Sequence, residues 1–416
     1  MLIGGAALVV RLAYVLIAKR ADGDITDEGD AFYYSAQAYA NAHGRFFQHP
    51  FFGGPAADHP PLTALLLTPI SWVTDDNILA ERLFMTLVGT AAVVAIFWLA
   101  TDVAGRRAGV IAGALAALYP GFWVNDGLLM SESLTTLLVA IILLASFRFA
   151  RSPDRRHAAM LGALCGAGVL ARAELALLIP LLVVPLALLA WRIELRRRVG
   201  LAVLATVACG LVVAPWVVWN LTRFEKPVLL STNDGLTLLG ANCDSTYRGD
   251  GIGLWSLPCA IDTPPSHEES VVAAESRDRA FSYIRDHLSE LPKVAVVRFA
   301  RVWSLYRPGQ MVDYRAGEGL EPSVSWAATV SYWALLPVAA FGVVAARHRR
   351  LPLLPFVATA ALVSVTAVAF YGIVRFRIPA DVSIIVLAAI GVDARLPPPR
   401  SRTEAEGDRA APARRA

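Results

Sequence analysis

The feature that most constrains this chain is a series of long apolar stretches that recur along most of its length. About ten of them approach the roughly 20 residues that a helix needs to cross a bilayer. In lipid the backbone polar groups must bond within their own segment, so such stretches form helices. The expected spans are 2–18, 83–101, 108–124, 133–149, 158–171, 175–191, 199–220, 327–346, 352–372 and 379–393.

The composition agrees with this interpretation. Hydrophobic residues make up 56% of the chain and charged residues only 17%, whereas soluble domains carry about 25% charged residues. These values exclude a water-soluble enzyme, a disordered chain and a small disulfide scaffold. We therefore predict an all-α polytopic membrane protein, a bundle of about ten transmembrane helices with two extracytoplasmic segments. The apolar stretch 60–73 is too short to span and predicts an interfacial or re-entrant helix.

The arginines predict the orientation, because cytoplasmic loops carry an excess of basic residues. Five arginine-bearing segments fall on one side if there are ten spans and both ends of the chain are cytoplasmic, while the loop 125–132 has none. We therefore expect a multi-pass protein of the plasma membrane with both termini in the cytoplasm. The five segments are 106–107, 148–156, 192–198, 347–350 and 395–415.

This topology divides the chain into four regions. Residues 1–221 form an N-terminal transmembrane module that includes the first outer loop, 19–82. Residues 222–326 form an extracytoplasmic segment, and 327–393 form the C-terminal transmembrane helices. The last residues, 394–416, are rich in Pro, Arg and Glu and predict a disordered cytoplasmic tail.

Two of the four cysteines lie in the second outer segment. Cys243 and Cys259 are sixteen positions apart in a stretch rich in Gly and Asp. Because disulfides persist outside the cytoplasm, we expect these two residues to be bridged. Cys165 and Cys209 fall inside spans and are expected to pack as small hydrophobes.

Three carboxylates stand close together in the first outer loop, at Asp27, Glu28 and Asp30. One interpretation is structural, with Thr26 or Asp27 capping a helix that runs to about Asn41. The other is chemical, with a general base held at the membrane surface, where burial raises a carboxyl pKa. The sequence leaves both open.

The same loop contains three histidines. Their pattern favours a basic or hydrogen-bonding role for His59 alone over a metal site. The spacing of the loop's histidines and carboxylates matches no ligand pattern, so we expect no dedicated metal site, although a divalent cation would be compatible with so many carboxylates. His59 precedes Pro60 and Pro61, which restrict its backbone and fix where its side chain lies. The residues concerned are His43, His49, His59, Asp27, Glu28 and Asp58.

Further charges lie at the outer ends of later spans. Glu132 opens the fourth span, where it is either part of a helix cap made by Ser131 or a functional carboxylate. Arg172 follows the fifth span and either pairs with Glu174 or contributes to a site.

Two arginines interrupt the arginine-poor side of the membrane. Arg375 and Arg377 lie between Tyr371 and Pro379, where the ninth span meets the tenth. Ionisable groups at membrane depth are functional hypotheses by default. The planar guanidinium suits a phosphate, either of a substrate or of a lipid headgroup.

Taken in order along the chain, these pieces resemble the GT-C membrane glycosyltransferases, in particular the family 39 group that includes protein O-mannosyltransferases and the lipid A aminoarabinose transferase. The resemblance extends from the first span to about Arg377. It rests on Asp27-Glu28 followed by Tyr33, His59-Pro60-Pro61-Leu62, Ser131-Glu132, Arg172, Pro215-Trp216 with Asn220, Ser231-Thr232-Asn233-Asp234-Gly235, and Arg375-Phe376-Arg377-Ile378-Pro379.

The resemblance implies a polyprenyl-phosphate-linked sugar as donor and a hydroxyl group of an envelope glycan, lipid or protein as acceptor. Asp27 would be the general base, assisted by Glu28, in a transfer with inversion. Arg375 and Arg377 would bind the donor phosphate. The implied substrate-binding residues are Glu132, Arg172, His59 and Tyr33. Neither a nucleotide-sugar domain nor nucleic-acid binding is expected.

Two other classes remain as alternatives. A secondary transporter would carry internal repeats and midplane ionisable residues. Here the repeats are not seen, and Arg11 is the main charge within a span. A non-catalytic membrane subunit is the second alternative.

Overall fold

The computed structural model describes residues 2–20, 23, 25–26, 29–190, 193–261 and 268–397. Within these ranges the regular elements are helices, apart from one β-bridge between Gln48 and Pro55. Of the expected disordered tail at 394–416, residues 394–395 belong to the last helix, and 398–416 lie outside the described residues. The first ten α-helices are α1 Leu2–Tyr14, α2 Asp30–Ala42, α3 Leu62–Thr74, α4 Ile78–Ala104, α5 Arg106–Leu118, α6 Pro120–Trp123, α7 Glu132–Arg151, α8 Arg155–Ala171, α9 Val184–Leu188 and α10 Leu195–Arg223.

The remaining helices form the second outer segment and the C-terminal part of the bundle. They are α11 Asn233–Ala241, α12 Asp244–Tyr247, α13 Leu257–Ala260, α14 Glu269–Asp286, α15 Leu291–Val302, α16 Pro308–Ala316, α17 Pro322–His348, α18 Leu354–Ala369 and α19 Ile378–Arg395. The fold class predicted from the sequence is confirmed: the protein is an all-helical membrane protein.

The helices match the ten expected spans in position but not all in length. Among the described residues, five helices are long and apolar enough to cross a membrane, and a pair bent by 59° makes up to six. The other expected spans correspond to shorter or more polar helices, such as α8 and α18. The five are Leu2–Lys19, Ile78–Ala104, Glu132–Arg151, Leu195–Arg223 and Pro322–His348, and the bent pair is Arg106–Leu118 with Pro120–Asp126.

Proline accounts for two of the broken spans. Tyr119 is extended because it precedes Pro120, and this ends α5. The expected span 175–191 is divided into a 3₁₀ turn, a π-helical turn and α9, and Pro180 and Pro185 lie in the last two pieces. Each proline removes a backbone donor and crowds the preceding turn, so a continuous α-helix is disfavoured there.

The C-terminal helix α19 is buried against α17, α5, α7 and α18. Its closest approach is to α17 at Gly342, where a Cβ would lie 1.8 Å from the carbonyl oxygen of Leu387. Gly391 faces the same crossing, where an added Cβ would lie 3.2 Å from the Cα of Gly342. Small residues allow such close approach of helix backbones in membranes. This contact fixes α19, and the segment before it, against the rest of the bundle.

The charge in the middle of the first span is neutralised inside the bundle. Arg11 Nε lies 2.8 Å from Asp126 Oδ2, and both side chains are 1% exposed. Gly89 makes room for this pair, since a Cβ there would meet Asp126 Oδ1 at 2.3 Å. The ion pair joins α1 to the bent segment after α6.

Three of the arginine-bearing segments, 106–107, 148–156 and 347–350, meet at one end of the bundle. Asp393 pairs with Arg107 at 2.5 Å and with Arg349 at 2.8 Å, and Asp102 pairs with Arg148 and Arg151. The opposite end carries the first turn of α7, the end of α8 and the connection between α18 and α19. A second charged cluster lies at that opposite end.

Candidate functional site

The cluster is assembled from the ends of helices far apart in sequence. Asp30 is the first residue of α2, which begins after Gly29 with φ +57° and without a side-chain cap. The N-cap position is therefore Gly29 and not the expected Thr26 or Asp27, and glycine readily adopts this positive φ. Glu132 opens α7, also without a cap from Ser131. Arg172 follows α8 and Arg375 lies in the 3₁₀ turn Val374–Arg377.

Arg375 lies at the centre of the cluster and contacts three carboxylates. Its Nη2 donates to Asp30 Oδ2 at 2.7 Å. Its Nε lies 3.3 Å from Glu132 Oε1, and its Nη1 lies 3.4 Å from Glu318 Oε1. The side chain is 10% exposed, so these contacts are formed largely away from water.

A second guanidinium shares one of these carboxylates. Arg172 Nη1 donates to Glu132 Oε1 at 2.7 Å, and its Nε donates to Glu174 at 2.5 Å. The predicted pairing of Arg172 with Glu174 is thus observed, and Arg172 lies in the same cluster as Arg375 because both contact Glu132. Arg315 in turn holds Glu318 at 2.5 Å. The cluster is a network of alternating charges and not a set of separate pairs.

His59 borders the network on the side of the first outer loop. Its Nε2 lies 3.5 Å from Asp30 Oδ1 and 3.3 Å from Asp58 Oδ2. The imidazole stacks on Tyr34 with ring centroids 4.8 Å apart, and its Nδ1 lies 3.4 Å from the amide of Asn233. Burial would lower the pKa of His59, but Asp58 and Asp30 outweigh it and raise the pKa above its usual value. This favours the imidazolium near neutral pH.

Asp30 lies close to two cationic side chains, Arg375 and His59. Burial alone would raise its pKa, but Arg375 and then His59 hold the pKa well below the usual value. A carboxylate with such a low pKa is a weak proton acceptor. Asp30 is therefore suited to fixing Arg375 and His59 and poorly suited to taking a proton.

Three polar atoms of the cluster are buried and make no hydrogen bond within the described part of the chain. They are Nε of Arg375, Nε2 of His59 and Oε2 of Glu132. Buried polar atoms nearly always have partners, so unsatisfied ones need an explanation. A polar substrate that binds among these residues would supply the missing bonds.

The structure places the other predicted site residues as follows. Asp27 and Glu28, the predicted catalytic pair, lie outside the described residues. Tyr33 donates to Gln37 at 3.3 Å, accepts from the backbone N–H of Asp58 at 3.2 Å, and packs edge-on against the imidazole described above. Tyr33 therefore supports the loop that borders the cluster.

Arg377 differs from its predicted role. Its Nε donates to Asp381 at 2.9 Å and its Nη1 to Ser304 at 2.7 Å. The guanidinium also lies 3.5 Å from the ring centre of Tyr332, and the residue is 4% exposed. Because these partners occupy the guanidinium, Arg377 anchors the turn that carries Arg375 instead of facing a donor phosphate beside it.

The sequence interpretation missed several members of the network. Asp30 belongs to the acidic run of the first loop but was not singled out, and Asp58 was considered only as a metal ligand. Glu318 and Arg315 lie in the second outer segment, where no motif marks them. Their spacing of three residues on a helical turn is the one signal that predicts a pair.

Two further features concern the cysteines and the side chains that could bind a metal ion. Cys243 and Cys259 are joined in a disulfide, and Cys165 and Cys209 are buried and free. Across the residues that the structure describes, no group of three or more His, Cys, Asp and Glu side chains has an arrangement that could hold a metal ion.

Comparison with known proteins identifies the fold. The archaeal oligosaccharyltransferase AglB from Archaeoglobus fulgidus, in complex with an inhibitory peptide and a dolichol-phosphate, aligns with 100% of this chain at 13% identity and a TM-score of 0.54. The apo form of the A. fulgidus oligosaccharyltransferase aligns with 94% of the chain at 14% identity and a TM-score of 0.55. The chain has the GT-C fold. It spans about half of these larger proteins, 52% and 50% of their lengths.

The sequence comparison agrees with this fold. Residues 58–219 match the family model of dolichyl-phosphate-mannose-protein mannosyltransferase. Among solved structures, ArnT from Cupriavidus metallidurans, bound to undecaprenyl phosphate, also aligns with 94% of this chain and 77% of its own at 16% identity, but its TM-score of 0.41 is too low to bear on the fold. No curated protein sequence matches the chain. The resemblance to GT-C glycosyltransferases that the sequence suggested is confirmed.

Proposed function

We propose that this protein is an inverting glycosyltransferase that moves a sugar from a polyprenyl-phosphate donor to a hydroxyl acceptor of the cell envelope, on the outer face of the plasma membrane. The observation that carries the proposal is the cluster around Arg375, with its unsatisfied polar atoms on Arg375, His59 and Glu132. The GT-C fold and the match of 58–219 to a mannosyltransferase family support it.

The position of the cluster suits a lipid-linked donor. A polyprenyl phosphate keeps its tail in the bilayer, so its sugar and phosphate lie where helices meet the outer surface. Glu132, Arg172 and Arg375 are all at helix ends, opposite the arginine-rich loops. AglB, which shares the fold, is described in complex with a dolichol-phosphate. We infer that the lipid phosphate enters beside Arg375.

In the proposed reaction, an acceptor oxygen attacks the anomeric carbon while the bond from that carbon to the phosphate oxygen breaks. The electron pair of the broken bond stays on the lipid phosphate, and the acceptor proton passes to a carboxylate. Asp27 remains our proposed base, with Glu28 beside it, on the loop that leads to Asp30. The low pKa of Asp30 and its bond to Arg375 argue against Asp30 in this role.

The charge that develops on the leaving phosphate needs a fixed cation. We propose Arg375 for this role, with Arg172 and His59 beside it, because preorganised cations stabilise developing charge most effectively in water-poor sites. Glu132 would orient both guanidiniums, since its Oε1 contacts Arg172 and Arg375. The sugar hydroxyls would then bind Oε2 of Glu132, which has no protein partner in the described residues.

We also propose that both ends of the chain are cytoplasmic. The ion pairs of Asp393 and Asp102 with loop arginines bring the basic segments to one end of the bundle, as the orientation rule requires. A Ser152→Cys variant that lacks Cys165 and Cys209 should resist an impermeant thiol reagent in intact cells. Labelling of that variant would contradict this orientation.

The proposed function is tested by deletion of the gene and analysis of envelope glycans. One envelope component should lose a sugar, wild-type protein should restore it, and Glu132→Gln should restore it poorly. Arg248→Ala, which changes an arginine 58% exposed on the outer surface, is the matched control and should restore it fully. An unchanged set of envelope glycans in the deletion strain would count against the function.

A further inference from the structure

In a short segment next to the site, residues 56–59, three backbone carbonyls accept hydrogen bonds from residues in the second half of the protein. The carbonyl of Ala56 accepts from Arg223 at 2.6 Å. The carbonyl of Ala57 accepts from the backbone N–H of Thr232 at 2.8 Å. The carbonyl of Asp58 accepts from the hydroxyl of Ser231. This segment carries Asp58 and His59, so the outer segment 222–326 determines where those two side chains lie.

The carboxylate of Glu269 connects these contacts to helix α14. Glu269, the first residue of α14, accepts through Oε2 from the backbone N–H of Ala57 and from the hydroxyl of Thr232, both at 2.8 Å. Its other oxygen, Oε1, is buried, makes no hydrogen bond to the residues that the structure describes, and lies 3.9 Å from Nε2 of His49. The side chain is 12% exposed. A single carboxylate oxygen thus links the first outer loop, residues 231–232 and α14.

We propose that Glu269 is a positioning residue that holds the 56–59 segment, and with it Asp58 and His59, at the Arg375 cluster. The inference rests on the proposed function, because it assigns the residue a part in that reaction. Glu269 contacts neither Arg375 nor any of its three carboxylates in the described interactions, and it acts through the backbone of Ala57. Its effect reaches the site because His59 lies within 3.5 Å of Asp30.

The protonation of Glu269 gives this role a pH dependence. Burial, together with the nearby charge of Asp58, raises the pKa of Glu269 to about 7, against the opposing effects of Ala57, Thr232 and Arg223. The other titratable groups that face it are His49 and Tyr33. When the segment is released, Glu269 becomes exposed and its pKa returns towards the ordinary value. The held state therefore binds the proton more tightly, and rising pH through about 7 favours release.

Hydrogen–deuterium exchange on the full-length protein in detergent tests the contact directly. Glu269→Ala should speed exchange at the Ala57 amide by about 10- to 100-fold, because the hydrogen bond from this amide to the Glu269 carboxyl oxygen is lost. Glu269→Gln keeps an acceptor oxygen and should leave exchange slow. The amide of Gly372, which donates to Gly253 at 2.8 Å, serves as an internal reference. Unchanged exchange at Ala57 in Glu269→Ala would overturn the proposal.

Kinetics then separate positioning from simple stability. Glu269→Ala should lower kcat for sugar transfer by roughly 10²-fold, the loss expected from a small misplacement of site residues. Glu269→Gln should restore kcat and should also remove the fall in activity of the wild type as pH rises through about 7. The control is Asp278→Asn, an exposed position on the same helix, which should match wild type at every pH.

The outcomes distinguish this inference from the proposed function. If wild-type protein transfers no sugar from any donor, the proposed function is wrong, and the exchange comparison alone decides whether Glu269 holds the segment. If wild type is active and Glu269→Ala exchanges faster at Ala57 yet transfers sugar at the wild-type rate, Glu269 has no part in positioning and the inference is wrong. A wild-type pH profile in Glu269→Gln would also contradict it.

Discussion

Replacement of Arg375 tests the chemistry of the site most sharply, because one side chain contacts three carboxylates. Arg375→Ala would leave Asp30, Glu132 and Glu318 facing each other without their shared cation, at contacts now 2.7, 3.3 and 3.4 Å long. Removing one partner of a buried ion pair costs about 3–5 kcal/mol of stability. Because Arg172, Arg315 and His59 still contact Glu132, Glu318 and Asp30, we expect the lower part of that range and a lower Tm in detergent.

The catalytic effect of Arg375→Ala should exceed what instability explains. Loss of a fixed donor to a developing oxyanion lowers kcat by about 10²- to 10³-fold. Arg375→Lys keeps a charge and should recover much of the stability, but a lysine cannot bridge three carboxylates in one plane, so kcat should stay low.

The assay is transfer from a synthetic polyprenyl-phosphate sugar by purified protein, with kcat and KM measured separately and Tm measured on the same samples. Arg248→Ala is the control, since that arginine is 58% exposed and pairs with Glu290 at the surface. A folded Arg375→Lys variant with wild-type kcat would refute the assignment of Arg375 to the leaving phosphate.

Two further predictions concern stability. Arg11→Leu should lower the free energy of unfolding by about 3–5 kcal/mol, because the Asp126 carboxylate, which is only 1% exposed, loses its cationic partner. The double variant Arg11→Leu/Asp126→Leu should recover most of this loss. Measurements of Tm in detergent compare the two variants. Cys259→Ser should cost about 3 kcal/mol, since the disulfide to Cys243 closes a loop of sequence separation 16. Its thermal unfolding should match that of reduced wild type.

Each of these predictions has a contradicting result. A double variant no more stable than Arg11→Leu would mean that the ion pair is not the reason for the loss. A Tm of Cys259→Ser equal to that of oxidised wild type would mean that the bridge does not stabilise the outer segment.

The sequence predicted the helical architecture because hydropathy is a local property. Each expected span coincides with a helix or a set of helical pieces, and ion pairs bring three of the five arginine-bearing segments to one end of the bundle. The lengths were harder to predict, because Pro120 and Pro180 divide apolar stretches that look continuous by composition alone. Proline positions were readable, but whether a helix bends or ends at them depends on its neighbours.

Only some of the site residues could be predicted from the sequence, for a related reason. Arg375 was singled out because a charge at membrane depth is rare, but its partner Asp30 is 345 positions away in sequence. Such pairings depend on how the helices pack and not on local pattern. Arg377 is the opposite case, because Asp381 lies four residues later, where one helical turn brings two side chains together. That spacing was available and would have predicted an anchoring role.

The central claim is that a carboxylate of the first outer loop activates an acceptor for attack on a polyprenyl-phosphate sugar whose phosphate binds Arg375. The most direct measurement incubates purified protein with envelope extract and a panel of polyprenyl-phosphate-linked hexoses and pentoses, and follows free polyprenyl phosphate and glycosylated product by mass spectrometry. Wild type should release the lipid phosphate and glycosylate one component, with inversion at the anomeric carbon, and Asp27→Asn should lose at least about 10²-fold in rate. Consumption of none of the donors by wild type, or transfer by Asp27→Asn at the wild-type rate, would contradict it.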